Sequence, residues 1–504
     1  MKSIIGTSKV DHLILLAGLL ISVFLVVLGI NRGFDISDEG LYALFADPNQ
    51  ENSYGLTYYD LFFKLFYQLF QIRFSVIELR LIRLISVILG AWFIASWAKK
   101  RNPQFSGLEW YLISALGLFI SYSFLPQTLS YNSLALFFVS AWLYSLDEKS
   151  NILKSLKLGL LLALLLYVKA TVALGLGLVT MGLILYESKV SWSTWKQGIG
   201  LVIPFLALET LFQFFLNDSF FARFEQSWNG PISRTDHDLA LLLKINLVGW
   251  FWVLLLFIPW LLVGQFTKPI LWGIALVSSL VVAWLTHITD EWNHLVLVFI
   301  ISVLGYVFGR FRERVTTHHL LLVALPFILH LGSNVYFFRL GIFFSCFWIL
   351  AIFGISNRNF TPFNLTIFTS TAVFCVFLGV WWKPFGLEEP LWQSNSVYRV
   401  PNNSIILLDE ELLGCLSEMP SYLNNDSQFL SIYRNPGISF LLGKSIPISP
   451  GFWDKASLMD SWNLDYKPSL LIYQPIDSLP DSWHYSDTLG SWTIRNQTQY
   501  LLSK

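Results

Sequence analysis

The sequence predicts an α-helical polytopic membrane protein with a small α/β domain outside the membrane. Three observations predict it. Of 504 residues, 55% are hydrophobic and only 13% charged, where a soluble domain carries roughly 25% charge. Apolar runs of about 20 residues, long enough to cross a bilayer, recur as far as residue 383. From residue 384 onward Pro, Asn, Asp and Ser return, and the apolar runs shorten to strand length. Lys+Arg and Asp+Glu are 33 each, so no net charge points to nucleic acid, while 17% aromatic residues suit a chain that meets membrane lipid.

Spans are expected over about 13–30, 79–98, 108–125, 130–146, 196–216, 244–264, 269–287, 294–309, 319–331, 337–355 and 364–383. The first stays as an anchor, because Asn31, Arg32 and Gly33 follow it without a small-residue cleavage site. Between about 156 and 187 lies an apolar stretch too long for one span and too short for two full ones, interrupted by Lys169 in LLLYVKATVAL. Read as two short helices meeting at Lys169, it places Lys99, Lys100, Arg101, Lys149, Lys154, Lys157, Lys189, Lys196, Lys268, Arg310, Arg312, Arg314 and Arg358 on one side. Read as one helix, it moves every later cationic loop across. The positive-inside rule selects the first arrangement: about 13 spans, N-terminus in the cytoplasm and C-terminus outside, as in a bacterial inner membrane with a periplasmic C-terminal domain. A charged break is tolerated only where protein or a wet cavity covers the backbone, so Lys169 should face a cavity.

The expected domains are therefore 1–383 in the membrane and 384–504 outside. The outer loop at 31–74 ends in LTYYDLFFKLFYQLFQIRF, whose Asp60 and Lys64 form an i,i+4 pair on a helix lying in the interface. In the tail, 404–409, 428–433 and 469–475 read as strands, and 409–419 and 452–462 as helices. Cys346, Cys375 and Cys415 are too few and too scattered for a disulfide framework or a metal knuckle.

Ionisable groups at a membrane are costly, which makes those present candidates for function. The first outer loop carries Asp35, Asp38 and Glu39, with Ser37 placed to cap a helix. These acids either decorate a helix start, where the dipole favours them, or supply a general base to an acceptor hydroxyl. Arg32, Arg80, Arg83, Lys169 and Arg339 are cations on the side the positive-inside rule disfavours. Together they suggest a bound anion, with a lipid phosphate the natural candidate. A polar turn, THITDEWNH, adds His287, Asp290, Glu291, Asn293 and His294, accompanied by His330, Ser333 and Asn334; the loop after 216 adds Arg223, Arg234, Asp236, His237 and Asp238. Their spacing matches no recognised metal motif, so they read as sugar or acceptor contacts or as solvated loop residues; no cofactor is expected, and a divalent metal stays open.

On these residues the chain resembles the GT-C superfamily of integral-membrane glycosyltransferases, especially the protein O-mannosyltransferase and lipid A aminoarabinose transferase branch. Asp38-Glu39 looks like that branch's Asp-Glu motif, followed by Tyr58-Tyr59 in the interfacial helix, RLIRLISVILG from Arg80, and a short helix pair ending in a Lys at Lys169. The resemblance implies Asp38 as catalytic base, Glu39 beside it, Arg80, Arg83, Lys169 and Arg339 on a donor phosphate, and Asp35, Tyr58, Tyr59, His287, Asp290, Glu291, His294 and Asn334 around the substrate or acceptor. It implies transfer of a sugar from a polyprenyl phosphate to a lipid, glycan or protein hydroxyl. SYGLT stands before Tyr58 where the aminoarabinose transferases carry a Lys-Pro pair, so one phosphate contact of that subgroup is missing. The second outer loop, LPQTLSYN, lacks the carboxylate of the metal-dependent oligosaccharyltransferases. Two rivals stand beside this reading: a polysaccharide polymerase or ligase working through Arg223, Arg234 and His237, and a transporter or flippase, which would show paired broken helices and midplane charges.

Overall fold

Residues 9–53, 57–148, 151–188, 192–229, 239–287, 292–384, 387, 389–401, 404–423, 428–462 and 467–503 are described by a computed structural model. Asp290, Glu291, Arg234, Asp236, His237 and Asp238 lie outside the described residues.

Local signals set the helix starts. After α1 (Lys9–Gly29), α2 (Asp38–Ala46) and α3 (Asp60–Phe70), capping boxes open α4 (Val76–Arg101) at Ser75 and Glu78, α5 (Gly107–Phe119) at Ser106 and Glu109, and α6 (Tyr131–Leu146) at Ser130 and Ser133. Asn151 caps α7 (Ile152–Val168), which stops at Lys169, and α8 (Ala170–Ser188) restarts directly after it. The break expected at Lys169 is therefore present. The chain continues through α9 (Trp192–Leu216), α10 (Phe220–Asn229), α11 (Leu239–Phe266), α12 (Pro269–Leu285), α13 (Asn293–Arg310), α14 (Thr317–His330), α15 (Phe337–Leu340), α16 (Cys346–Ser356) and α17 (Pro362–Val380). A helix overlies each apolar run marked in the sequence.

Among the described residues six helices are long and apolar enough to cross a membrane, or seven if Phe337–Phe344 and Cys346–Ser356, bent by 59°, count as one span. Tyr131–Leu146, Ala170–Tyr186, Pro269–Leu285 and Thr317–His330 are apolar but shorter. Large apolar side chains lie bare on these helices, among them Leu178 at 78%, Phe214 at 80% and Trp284 at 78% exposure. Water would penalise such a surface, whereas lipid accepts it. The architecture is that of a helical membrane protein, compatible with several passes.

The tail forms two sheets flanked by α18 (Glu410–Glu418), α19 (Pro436–Leu441) and α20 (Lys455–Ser461). β1 (Ser396–Arg399) pairs antiparallel with β2 (Ile405–Leu408). β3 (Phe429–Ile432), β4 (Leu470–Tyr473), β5 (Asp487–Ile494) and β6 (Gln497–Ser503) form a sheet in the order β3-β4-β6-β5, with β3 and β4 parallel and the other pairs antiparallel. Three strands, β1, β5 and β6, were not expected. The β5–β6 turn holds Arg495 and Asn496 at φ 54° and 61° without a glycine, so the usual hairpin signature is absent.

The first loop packs against the tail. Gly33 N–H donates to Leu407 O at 2.7 Å and Leu407 N–H to Asn31 O at 2.8 Å, so the start of the first loop runs alongside β2. Phe34, Ile36, Ala43 and Leu44 share one apolar core with Leu408, Leu412, Ile438 and Phe440 of the tail. Gly40 of α2 meets Gly437 of α19 backbone to backbone, where a Cβ on either glycine would collide.

Candidate functional site

The acidic loop assembles around Asp35. Its carboxylate accepts from the backbone N–H of Ser37, Asp38 and Glu39 at 3.2, 2.8 and 3.3 Å, capping α2. Ser37, expected as the cap, makes no such bond through its side chain. Asp35 is thus a structural acid, further tied to Arg495 of the tail at 3.7 Å.

Glu39 and Arg80 differ from expectation for a countable reason. The Glu39 carboxylate accepts from Arg80 Nε at 2.9 Å and Nη2 at 2.8 Å, from the Asp35 N–H at 3.1 Å, and from the Thr128 hydroxyl. A carboxylate offers about four acceptor directions, and these four donors take them. Arg80 Nη1 donates to Ile30 O and Arg32 O at 2.8 and 2.9 Å, and its Nη2 also reaches Gly33 O at 2.7 Å. With the two bonds to Glu39, all five N–H groups of a guanidinium are engaged. Glu39 is therefore not presented to an acceptor, nor Arg80 to a phosphate; the pair anchors α2 on α4. Arg83 is likewise turned inward. It is buried, donates to Pro126 O and to Ser121 O (3.1 Å), and lies under the Tyr122 ring, bracing the segment between α5 and α6.

Asp38 is what this scaffold leaves open. It sits at the first position of α2, partly exposed, and among the described residues no group donates a hydrogen bond to its carboxylate. Burial, and then the charge of Asp35, push its carboxyl up to about 7, against the pull of Arg339 and Arg434. Asp35 is raised too, chiefly by burial. Arg339, expected from the sequence, reaches this place from α15. Arg434, which sequence reasoning missed, reaches it from the tail.

A line of contacts leads from Asp38 into the helices. One turn along α2, Tyr42 packs edge-on against Tyr131 at 5.9 Å between ring centroids. Lys169 Nζ lies 5.7 Å from the Tyr131 ring and donates to Leu329 O at 2.7 Å and Asn132 Oδ1 at 3.3 Å. Thr171 donates to Leu331 O at 2.6 Å, docking the turn that carries Asn334 and leads to Arg339 against the same helix break. Burial pushes the Tyr42 phenol well above its ordinary range, so it stays a neutral donor.

Other expected residues lie elsewhere. Tyr58 is buried, its N–H donating to Tyr167 O at 2.8 Å and its ring facing Phe220 and Arg223. Tyr59 is fully buried between Phe45 and Phe63. Neither presents a ring or hydroxyl to an acceptor. His287 and His294 face each other at 4.8 Å across the α12–α13 turn, with His294 also near Ala283 O at 3.3 Å. His330 is buried against Asn246 and Val335 O. Arg223 is held by Asp60 at 2.8 Å through both Nη atoms and by Asp218 at 2.6 to 3.0 Å, with Lys64 and Asn52 completing the shell of Asp60. Burial alone would raise the Asp60 carboxyl, but Arg223 and Lys64 hold it below its ordinary value.

What results among the described residues is a partly exposed carboxylate, pushed up to about 7, that feels the charge of one guanidinium from the helical region and one from the tail. Such a group can take a proton from a hydroxyl, and its flanking cations can hold an anion. In comparisons with known proteins, no family model matches the chain and no curated protein matches it.

Proposed function

We propose that the chain is a GT-C-like glycosyltransferase that moves one sugar from a polyprenyl phosphate to an acceptor hydroxyl on the outer face of the cytoplasmic membrane. The observation that carries this reading is the open Asp38 carboxylate, held by a saturated Glu39–Arg80 pair and flanked by Arg339 and Arg434. In this reading the short helices cross as well, giving about 13 spans with the N-terminus inside and the tail outside.

Asp38 takes the acceptor proton as the acceptor oxygen bonds to the anomeric carbon. The bond from that carbon to the phosphate oxygen breaks, and the prenyl phosphate leaves with its electron pair. Phosphate departs without a strong general acid, so one base and a cationic clamp suffice. A single displacement inverts the anomeric centre. The partly exposed Tyr131 ring, backed by the buried Tyr42 and lying near Lys169, offers the sugar ring an apolar face with a polar edge. The ligase reading has less support, because the donors of Arg223 are already engaged by Asp60 and Asp218.

The test is mass spectrometry of the polyprenyl-phosphate sugar pool in cells carrying the native chain or Asp38→Asn at matched protein levels. Accumulation of a sugar-loaded prenyl phosphate in the variant is expected, and its mass identifies the sugar class. An unchanged pool would sink the proposal.

A further inference from the structure

Arg434 is unusual for an arginine at the edge of a small domain. It follows Tyr433, and both residues lie in the left-handed region at φ 63° and 61°. Ordinary residues avoid that conformation unless the surroundings impose it. Here the surroundings do. The N–H groups of Tyr433 and Arg434 both donate to Phe452 O, at 3.0 and 3.3 Å, and the Tyr433 hydroxyl donates to Ser478 O at 2.8 Å. Immediately afterwards Gly437 N–H donates to Ile36 O at 2.7 Å, and Gly437 lies against Gly40. The turn is thereby fixed beside α2 between Ile36 and Gly40, the segment that contains Asp38. Arg434 is exposed, and among the described residues its guanidinium makes no hydrogen bond. A backbone held in a costly conformation thus places an exposed arginine, without a hydrogen bond to its guanidinium among the described residues, beside the helix start that carries Asp38.

From this geometry we infer that Arg434 is a ligand for the phosphate of a lipid monophosphate, so that the tail domain forms one wall of the donor site instead of merely covering it. The inference rests on the transferase reading above. A planar guanidinium binds a phosphate monoester through two parallel N–H bonds, which a hydrated ammonium cannot reproduce. The shared chemistry is a phosphate monoanion or dianion, free or on a lipid, and the prenyl chain distinguishes the two sources.

The experiment uses the full chain, purified in detergent, and farnesyl monophosphate as the probe, with farnesol and inorganic phosphate as separate arms. Native protein is expected to bind farnesyl monophosphate more tightly than farnesol. Arg434→Ala should weaken the phosphate-bearing probe at least tenfold and leave farnesol unchanged, and Arg434→Lys should recover only part of the loss. Inorganic phosphate should compete with the probe on native protein and fail to do so on Arg434→Ala. Equal affinity of native and Arg434→Ala for farnesyl monophosphate overturns the inference while leaving the transferase reading intact. Native protein that binds farnesyl monophosphate no better than farnesol overturns the lipid-phosphate reading itself. Arg434 is exposed, so its replacement leaves the fold intact, which an unchanged melting temperature of the two variants verifies.

Discussion

Two acid–arginine clusters lie near one another in this molecule, and they use their charges differently. Around Asp60 every strong group is matched: Arg223 forks both carboxylate oxygens, Asp218 holds the remaining side of the guanidinium, and Lys64 and Asn52 fill what is left. Around Asp38 the matching stops one residue short. Glu39 and Arg80 consume each other and their neighbours, Asp35 is spent on capping α2, and Asp38 keeps a carboxylate that nothing described here bonds. The comparison teaches that an acid beside an arginine in the sequence says little until donors and acceptors are counted. A closed cluster fixes a loop; a cluster with one open group can do chemistry.

The largest expected effect tests that distinction directly. Asp38→Asn should lower transfer by about 10²–10⁴-fold, the contribution of a positioned general base, with little change in melting temperature. Asp60→Asn should do the reverse, lowering stability measured by thermal unfolding far more than it lowers transfer per folded molecule. Next, Arg80→Met leaves Glu39 as an uncompensated buried charge and should cost about 3–5 kcal/mol of stability; a double variant with Glu39→Leu should recover much of it. Equal losses for single and double variants would argue against Glu39–Arg80 as a self-contained anchor.

A smaller, directional effect concerns pH. A base must be ionised to act, so the rate should rise as pH increases through about 7, where burial and Asp35 have pushed Asp38. Asp35→Asn keeps a capping oxygen but removes the like charge, so the rise should move to lower pH. Arg434→Ala removes a charge that favours the ionised form, so the rise should move to higher pH. A pH–rate profile unmoved by both would separate Asp38 from the rate. The smallest effect is expected at Lys157→Ala, whose pair with Glu148 at 2.7 Å is solvent-exposed; about 0–0.5 kcal/mol by thermal unfolding is the expectation.

Much of the helical region was legible because membrane helices are written as run length and interruption. Lys169 stood out as a charge in an apolar stretch, and a lysine there ends α7 as anticipated. The tail was less legible. β5 and β6 meet at Arg495-Asn496 in place of a glycine turn, and β5 reads DTLGSWTI, with too few apolar residues to signal burial. Asp38 and Arg339 could be singled out because charge near a membrane is rare. The saturation of Glu39, Arg80 and Arg83 could not be read, since the carbonyls of Ile30, Arg32, Gly33, Ser121 and Pro126 that occupy the arginines have no sequence signature. Arg434 was missed because its place beside Asp38 depends on two glycines, Gly40 and Gly437, meeting across the whole membrane region.

That long reach has a consequence for how the molecule is built. Arg495 donates to the backbone of Phe34 across a separation of 461 residues, and Asn31 to Gly33 run beside Leu407. The acidic loop leaves the ribosome well before the residues that complete its surroundings. Contacts of such separation form late. Until then Asp35 lacks Arg495 and Asp38 lacks Arg434, so a chain interrupted anywhere before the β5–β6 hairpin carries an unfinished acidic loop. The surroundings of the acidic loop are thereby completed only once the tail has been made and has folded onto it.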